Sequence, residues 1–318
     1  KEVVAIEIVK LNQFDILNTE KVDIKQMGHI YECKYLEHQN LSCNIQKVSA
    51  ELYVDKKTGE VKEFCHNDNR SQNVRKLMQS LNQGRAMINT NVEDITHCRF
   101  LTVTYRQRDN YDSEPIPMTD TKRLYKDLDK LYKKLKYHFG KDIKYITCCE
   151  PQKSGSWHAH IILIFNEKAP YIPNEDLAKW WGQGFVRVER IKDDVDNVGA
   201  YLTAYLCDVE VSQWKNENPG CKVDDSNIKE VEVLDENGEL QKKKYIKGAR
   251  LHYYNNFFHP FRWSRNCEKP KIYRTEYETF KAEMKKADCD EPTFQKSIML
   301  ADDYFTNIIK YEYYNTKK

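Results

Sequence analysis

Apolar and polar positions alternate most cleanly in the middle third of the chain. Residues 100–105 (FLTVTY) alternate and are rich in β-formers, which predicts a strand. Leu124, Leu128, Leu131, Leu135 and Phe139 then recur at helical spacing behind Thr119 or Asp120 as a cap, and Gly140 closes the helix. Residues 144–149 and 157–165 (WHAHIILIF) predict two more strands, joined as a hairpin through Ser154-Gly155-Ser156. A short helix over 175–181 and a fourth strand over 185–191 follow. Asp193, Asp194 and Asp196 open a last helix that runs to about Cys207, acids at its start suiting the macrodipole. The order is strand, helix, strand, strand, helix, strand, helix. It predicts an α+β domain with a central antiparallel sheet of split-βαβ type, RRM-like or ferredoxin-like, and helices on one face.

The flanks are less regular. Residues 1–66 predict short strands, with a hairpin of 50–54 and 60–64 around 57–59. Val74, Leu77, Met78 and Leu81 predict a helix over 70–81, stopped at Gly84. Residues 211–248 are polar and acidic, with a hairpin around Glu236-Asn237-Gly238. Residues 275–314 read as helical, with Tyr277, Phe280 and Met284, then Phe305, Ile308, Ile309 and Tyr313, on apolar faces. The expected division is an N-terminal accessory region (1–94), a central domain (95–210) and a C-terminal region (211–318).

Composition excludes several classes. No apolar run approaches the roughly 20 residues of a membrane helix, and 11 Gly with 9 Pro fit neither collagen nor a disordered chain. No basic-then-apolar leader opens the chain, which begins at Lys1. The 10 cysteines are dispersed without a CxxC, as in a protein with reduced thiols. Net charge is only +2, but residues 189–239 hold 14 acids against 5 bases and residues 242–274 hold 10 bases against 1 acid. Such asymmetry points to a polyanionic partner on particular faces, or to solvated faces without one.

His158-Ala159-His160 lies in a predicted strand, so both imidazoles point to one face. Glu150 ends the preceding strand, and a hairpin would return it beside them. Two imidazoles and a carboxylate with open positions suit a catalytic divalent ion. Tyr201 and Tyr205 are one helical turn apart, flanking a stripe of Val195, Val198, Leu202 and Leu206. They are either boundary residues of an amphipathic helix or hydroxyls that reach along the sheet edge. A tyrosine hydroxyl is a poor nucleophile at neutral pH, with an ordinary pKa of about 10. An ion held by two His and a carboxylate would stabilise charge developing at phosphorus. Attack on a DNA phosphodiester would then leave a phosphotyrosine and a free 3′-hydroxyl.

The combination of Glu150, His158-Ala159-His160, the upstream FLTVTY strand and the downstream YLTAY helix resembles the HUH endonuclease superfamily. More narrowly, it resembles phage- and plasmid-type rolling-circle replication initiators. The likeness covers about 70–274 and is strongest over 99–207. It implies tyrosine-mediated, Mg2+- or Mn2+-dependent nicking and joining through a 5′-phosphotyrosine, with Glu150, His158 and His160 as metal ligands. It also implies Tyr201 and Tyr205 as nucleophiles, with Tyr201 in the place of the family's first tyrosine. Single-stranded or locally melted origin DNA and a host helicase are the implied partners, in the cytoplasm of a bacterial or phage-infected cell and away from membranes. The family often has lysine where Ala204 and Asp208 stand, so Lys153 and Lys192 are the candidates to orient the phosphate.

Residues 242–274 interleave cations with aromatics, which suits single-stranded DNA. Lys242, Lys243, Lys244, Lys247, Arg250, Arg262 and Arg265 are the candidate contacts, and an aromatic core strand with basic flanks is the competing reading. Cys148 and Cys149 read as buried small residues, and Cys33, Cys43, Cys65 and His66 have poor spacing for zinc. Two other functions fit the chain: a non-catalytic single-stranded nucleic-acid-binding module, and a relaxase or transposase relative with the same chemistry. Metal titration separates the first of these from an enzyme, and a replication assay separates the second.

Overall fold

The computed structural model describes residues 7–39, 44–64, 74–108, 116–152, 154–191, 209–212, 228–234, 240–246, 258–301 and 305–317. In chain order its elements are β1 (Glu7–Leu11), β2 (Lys21–Met27), β3 (Ile30–Leu36), β4 (Ile45–Lys47), β5 (Leu52–Asp55), β6 (Val61–Glu63), α1 (Val74–Asn91), β7 (Cys98–Thr104), α2 (Thr121–Phe139), β8 (Lys144–Pro151) and β9 (Trp157–Ile164). They continue with α3 (Asn174–Trp181), β10 (Val186–Glu189), β11 (Val209–Glu210), β12 (Ile228–Leu234), β13 (Leu240–Ile246), β14 (Phe261–Trp263), β15 (Lys271–Glu276), α4 (Tyr277–Lys286), β16 (Phe294–Ala301) and β17 (Thr306–Asn315). The helix expected over 193–207 lies outside the described residues.

The chain forms two compact units, Asn67–Glu268 and the combination of Lys1–His66 with Lys269–Lys318. This differs from a division at 94 and 210. The reason is a long-range pairing, β17 against β3, which sequence periodicity does not encode.

In the first unit the strands follow the order β10-β7-β9-β8-β14. Both β7 and β8 are antiparallel to β9 between them, and α2 makes the crossover, so the split βαβ is present. Leu101, Val103, Ala159, Ile161 and Leu163 face α2 and α3 and are fully buried. Against them lie Leu124, Leu128, Leu131 and Leu135, each 0% exposed. Burying one such side chain contributes about 1.5–3 kcal/mol, so this face anchors the domain. Asp120 caps α2 by accepting from the Lys122 and Arg123 amides. Gly140 ends the helix at φ 94°, a conformation that only glycine adopts readily.

The second face of this sheet carries α1. Met87, Ile88 and Val92 pack on Cys98, Ile146, Ile162 and Ile164. Helix α1 runs to Asn91, past Gly84, where the sequence suggested a stop. Gly84 is instead a contact residue: a Cβ there would run into the Phe261 ring. The hairpin of β12 and β13 forms as expected, with β11 on its other edge.

The second unit is a six-stranded antiparallel sheet, β1-β16-β17-β3-β2-β15, with a small β4-β5-β6 sheet beside it in sequence. Helix α4 packs Phe280 and Met284 against Val22, Ile24, Cys33 and Tyr314. Residues beyond α4 are strands rather than the expected helix. The alternation in β17 is disguised because its inward face carries Lys310 and Glu312, a buried ion pair at 2.9 Å. Tyr277 and Tyr314 donate to the same carboxylate.

Gly84→Ala should lower the urea midpoint. Overpacking costs about 1–3 kcal/mol, whereas alanine gains about 1 kcal/mol in helix propensity. A Gly84→Ala/Phe261→Leu double variant should recover part of the loss, because the smaller side chain vacates the space.

Candidate metal centre

Strand pairing builds this site. Across β8 and β9, Glu150 lies opposite His158, and Cys148 opposite His160. Across β7 and β9, Thr102 lies opposite His160, and Thr104 opposite His158. Even-numbered residues of these strands point away from α2, so both imidazoles and the carboxylate share one face. Helix α1 packs on that face through Ile146, Ile162 and Ile164, and the trio lies at the other end of the strands. Glu150 and His158 are buried and His160 is half-buried.

The three side chains converge. His158 Nε2 and His160 Nε2 lie 2.6 and 3.0 Å from Glu150 Oε1, and 3.0 Å from each other. Such spacings match three ligands on one face of a six-coordinate ion, whose donors lie at about 2.1 Å from the centre and so about 3 Å apart. Thr102 Oγ1 lies 3.1 Å from His160 Nδ1 and fixes that ring from behind. The Phe100 ring stacks on His160 at 5.3 Å and 11°. Among the described residues, His158 Nδ1 is buried without a hydrogen-bond partner, which is uncommon for a buried polar atom. Among the described residues this is the grouping of His, Cys, Asp or Glu able to hold an ion.

Burial opposes ionisation of Glu150. Hydrogen bonds from His158 and His160, and their charge, outweigh it and hold the carboxyl at about 2 against an ordinary 4.5.

Residues 98–210 match the family described as replication-associated protein ORF2. The matched segment opens at the first residue of β7 and closes at the last residue of β11. It therefore contains the whole trio, and it supports a replication initiator. No curated protein and no solved structure matches the chain.

The remaining candidates divide into three groups. Tyr201, Tyr205, Lys153, Lys192, Lys247 and Arg250 lie outside the described residues. Lys242 and Lys244 are exposed on β13 opposite Glu232 and Glu230, and Lys244 forms an ion pair with Glu230 at 3.2 Å. Lys243 is on the same strand. Arg262 and Arg265 are away from the trio. Arg262 lies over the Tyr125 ring at 4.8 Å and donates to Asp129 at 2.9 Å, tying β14 to α2. Arg265 is exposed near Tyr145, five residues along β8 from Glu150, or roughly 17 Å at about 3.4 Å per residue.

The described aromatics of this basic stretch favour the core reading. Phe258 and Phe261 are buried, Phe258 stacking on Trp157 at 4.3 Å. Cys149 also faces the core, and burial pushes its thiol up to about 12. Cys33 is buried under α4, and Cys43, Cys65 and His66 lie outside the described residues.

Thr102 and Phe100 were not singled out in the sequence. Their signal was the FLTVTY alternation, which places them on one face but cannot say which strand lies alongside. Arg106 and Arg123 were likewise missed. They line a cavity at the same end of the sheet with Gln107 and Gln183.

Two measurements follow from this geometry. Thr102→Val keeps shape and removes the hydroxyl, and should weaken manganese affinity by about 10–100-fold in calorimetry. In metal-free protein, ionised Glu150 favours folding above its ordinary pKa of 4.5, because its folded value is lower. The stability gap between wild type and Glu150→Gln in urea titrations should therefore shrink as pH falls from 4.5 towards 2.

Proposed function

We propose that this chain nicks and rejoins single-stranded DNA through a tyrosine, in a metal-dependent reaction that initiates rolling-circle replication. The observation that carries this reading is the convergence of Glu150, His158 and His160 inside the segment matched by the replication family. A bound divalent ion would polarise a phosphate oxygen and stabilise the charge that develops on it. Two nitrogen donors favour a first-row ion such as Mn2+ over Mg2+, whose preference is for oxygen.

The chain's own residues have distinct tasks. Glu150, His158 and His160 hold the ion, Thr102 orients His160, and Phe100 packs on its ring. Tyr201 supplies the first nucleophile and Tyr205 the second. Tyrosine oxygen forms a bond to phosphorus and releases its proton, while the bond from phosphorus to the 3′-oxygen breaks. That oxygen leaves as a 3′-hydroxyl able to prime synthesis, and the 5′-phosphate stays on the protein. Arg106, exposed two residues beyond Thr104 at this end of the sheet, is the cation that stands in for the lysine absent at Ala204. Origin DNA in the host cytoplasm, opened with the help of a helicase, is the matching substrate. A purely binding module gives the convergence of two buried polar groups and a half-buried third no purpose, and burying them costs stability.

The test is incubation with a single-stranded DNA library and manganese, followed by peptide mass spectrometry of the trapped adduct. The nucleotide should be on Tyr201 or Tyr205. Tyr201→Phe should remove most initial cleavage, Tyr205→Phe the later transfer, and the double variant every adduct while DNA binding survives. His158→Ala and His160→Ala should lose nicking by orders of magnitude together with manganese binding. An adduct on another tyrosine, or nicking by the double variant, would overturn the assignment.

A further inference from the structure

The unit built from Lys1–His66 and Lys269–Lys318 has a sheet face with chemistry of its own. Helix α4 packs on one face, and no helix among the described residues of this unit lies on the other. The strand registers determine what that open face carries. Lys296, Tyr311 and Lys34 form one row across β16, β17 and β3. Phe294 and Tyr313 form the next row, with Lys25 two strands further on, beyond Glu32.

Phe294 and Lys296 are exposed, and Lys25, Lys34, Tyr311 and Tyr313 are half-buried. Phe294 is 56% exposed, and its ring lies 5.9 Å from that of Tyr313. Lys34 Nζ lies 5.8 Å from the Tyr311 ring centre. Charge on the face is unbalanced. Asp23 faces Arg274 at 3.9 Å, and Glu276 lies opposite Lys21. That leaves Lys10, Lys25, Lys34 and Lys296 against Glu32.

Rings on β16 and β17 with ammonium groups beside them offer stacking surfaces to bases and cations to phosphates. A duplex hides its base faces and could use only the cations, whereas an extended single strand uses both. We propose that this open face is a second binding surface, for single-stranded DNA, separate from the metal centre. The choice of DNA over RNA rests on the replication reading; the surface itself depends on neither the metal nor the tyrosines at 201 and 205.

The test uses the full chain in EDTA, so that no nicking occurs, with a fluorescein-labelled oligothymidine and anisotropy measured over a salt series. Lys34→Gln/Lys296→Gln removes two proposed phosphate contacts and should flatten the slope of log affinity against log salt by about 1.4, at about 0.7 per contact. Phe294→Ala/Tyr311→Ala should weaken binding by about tenfold or more, as loss of stacked bases does. A 5-iodouracil oligomer should crosslink to the peptide containing β17. EDTA removes any bound ion, so a failed metal reading would leave this result standing.

Wild-type affinity and slope in the lysine variant would overturn the proposal. Tighter binding of oligouridine than oligothymidine would make the ligand RNA and overturn it too. Conversion of a wild-type dimer to monomers by the same substitutions, with DNA binding unchanged, would make a second copy of the chain the occupant.

Discussion

The register between β8 and β9 is the constraint on which the candidate site depends. Side chains alternate along a strand, so a slip of one residue would exchange the two faces completely. His158 and His160 would then point into the leucines of α2, and Ala159 and Ile161 into the candidate metal site. The turn helps to hold the register. The Gln152 amide bonds to the Ser156 carbonyl, and the Gly155 amide to the Gln152 carbonyl. Gly155 has φ 78°, so the turn uses a residue that tolerates the left-handed region. The same pairing sets Thr102 against His160 from the other side.

The two faces of that sheet do different work. The α2 face is mostly apolar, with its few buried polar groups paired as Tyr132–Thr147 and Tyr105–Asp127, and supplies the burial that holds the domain together. The opposite face is covered by α1 at one end and carries a buried carboxylate and two imidazoles at the other. A domain selected only for stability would not place them there. Burial alone would push Glu150 up, and only the adjacent imidazoles reverse that. Stability from one face thus supports a costly polar arrangement on the other.

The second unit follows the same logic with a different polar element. Its inward face contains Lys310 and Glu312, with Tyr277, Tyr314 and Lys281 completing a network around them. Buried charges of this kind stabilise little in net terms. Lys310 and Glu312 are on the same strand, so a slip of one residue would carry the pair together to the other face and break its contacts with Tyr277 and Lys281. Every neighbouring strand then has its side chains assigned, including the ring and lysine rows on the open face.

The chain's local chemistry was enough to place the middle strands, the leucine face of α2, its Asp120 cap and its Gly140 stop, and to bring Glu150, His158 and His160 together. Each of these follows from side-chain period and short-range turns, which act within a few residues of one another. What needed tertiary structure was every feature set by residues far apart in sequence. Gly84 reads as a helix stop until the Phe261 ring occupies the space over it. Residues 306–315 read as a helix because the inward Lys310 and Glu312 break the hydrophobic alternation that would mark a strand. Arg262 reads as a phosphate contact until Tyr125 and Asp129 engage it. Thr102 and Phe100 join the candidate metal site only when β7 lies beside β9. Period tells which residues share a face; only packing decides what that face meets.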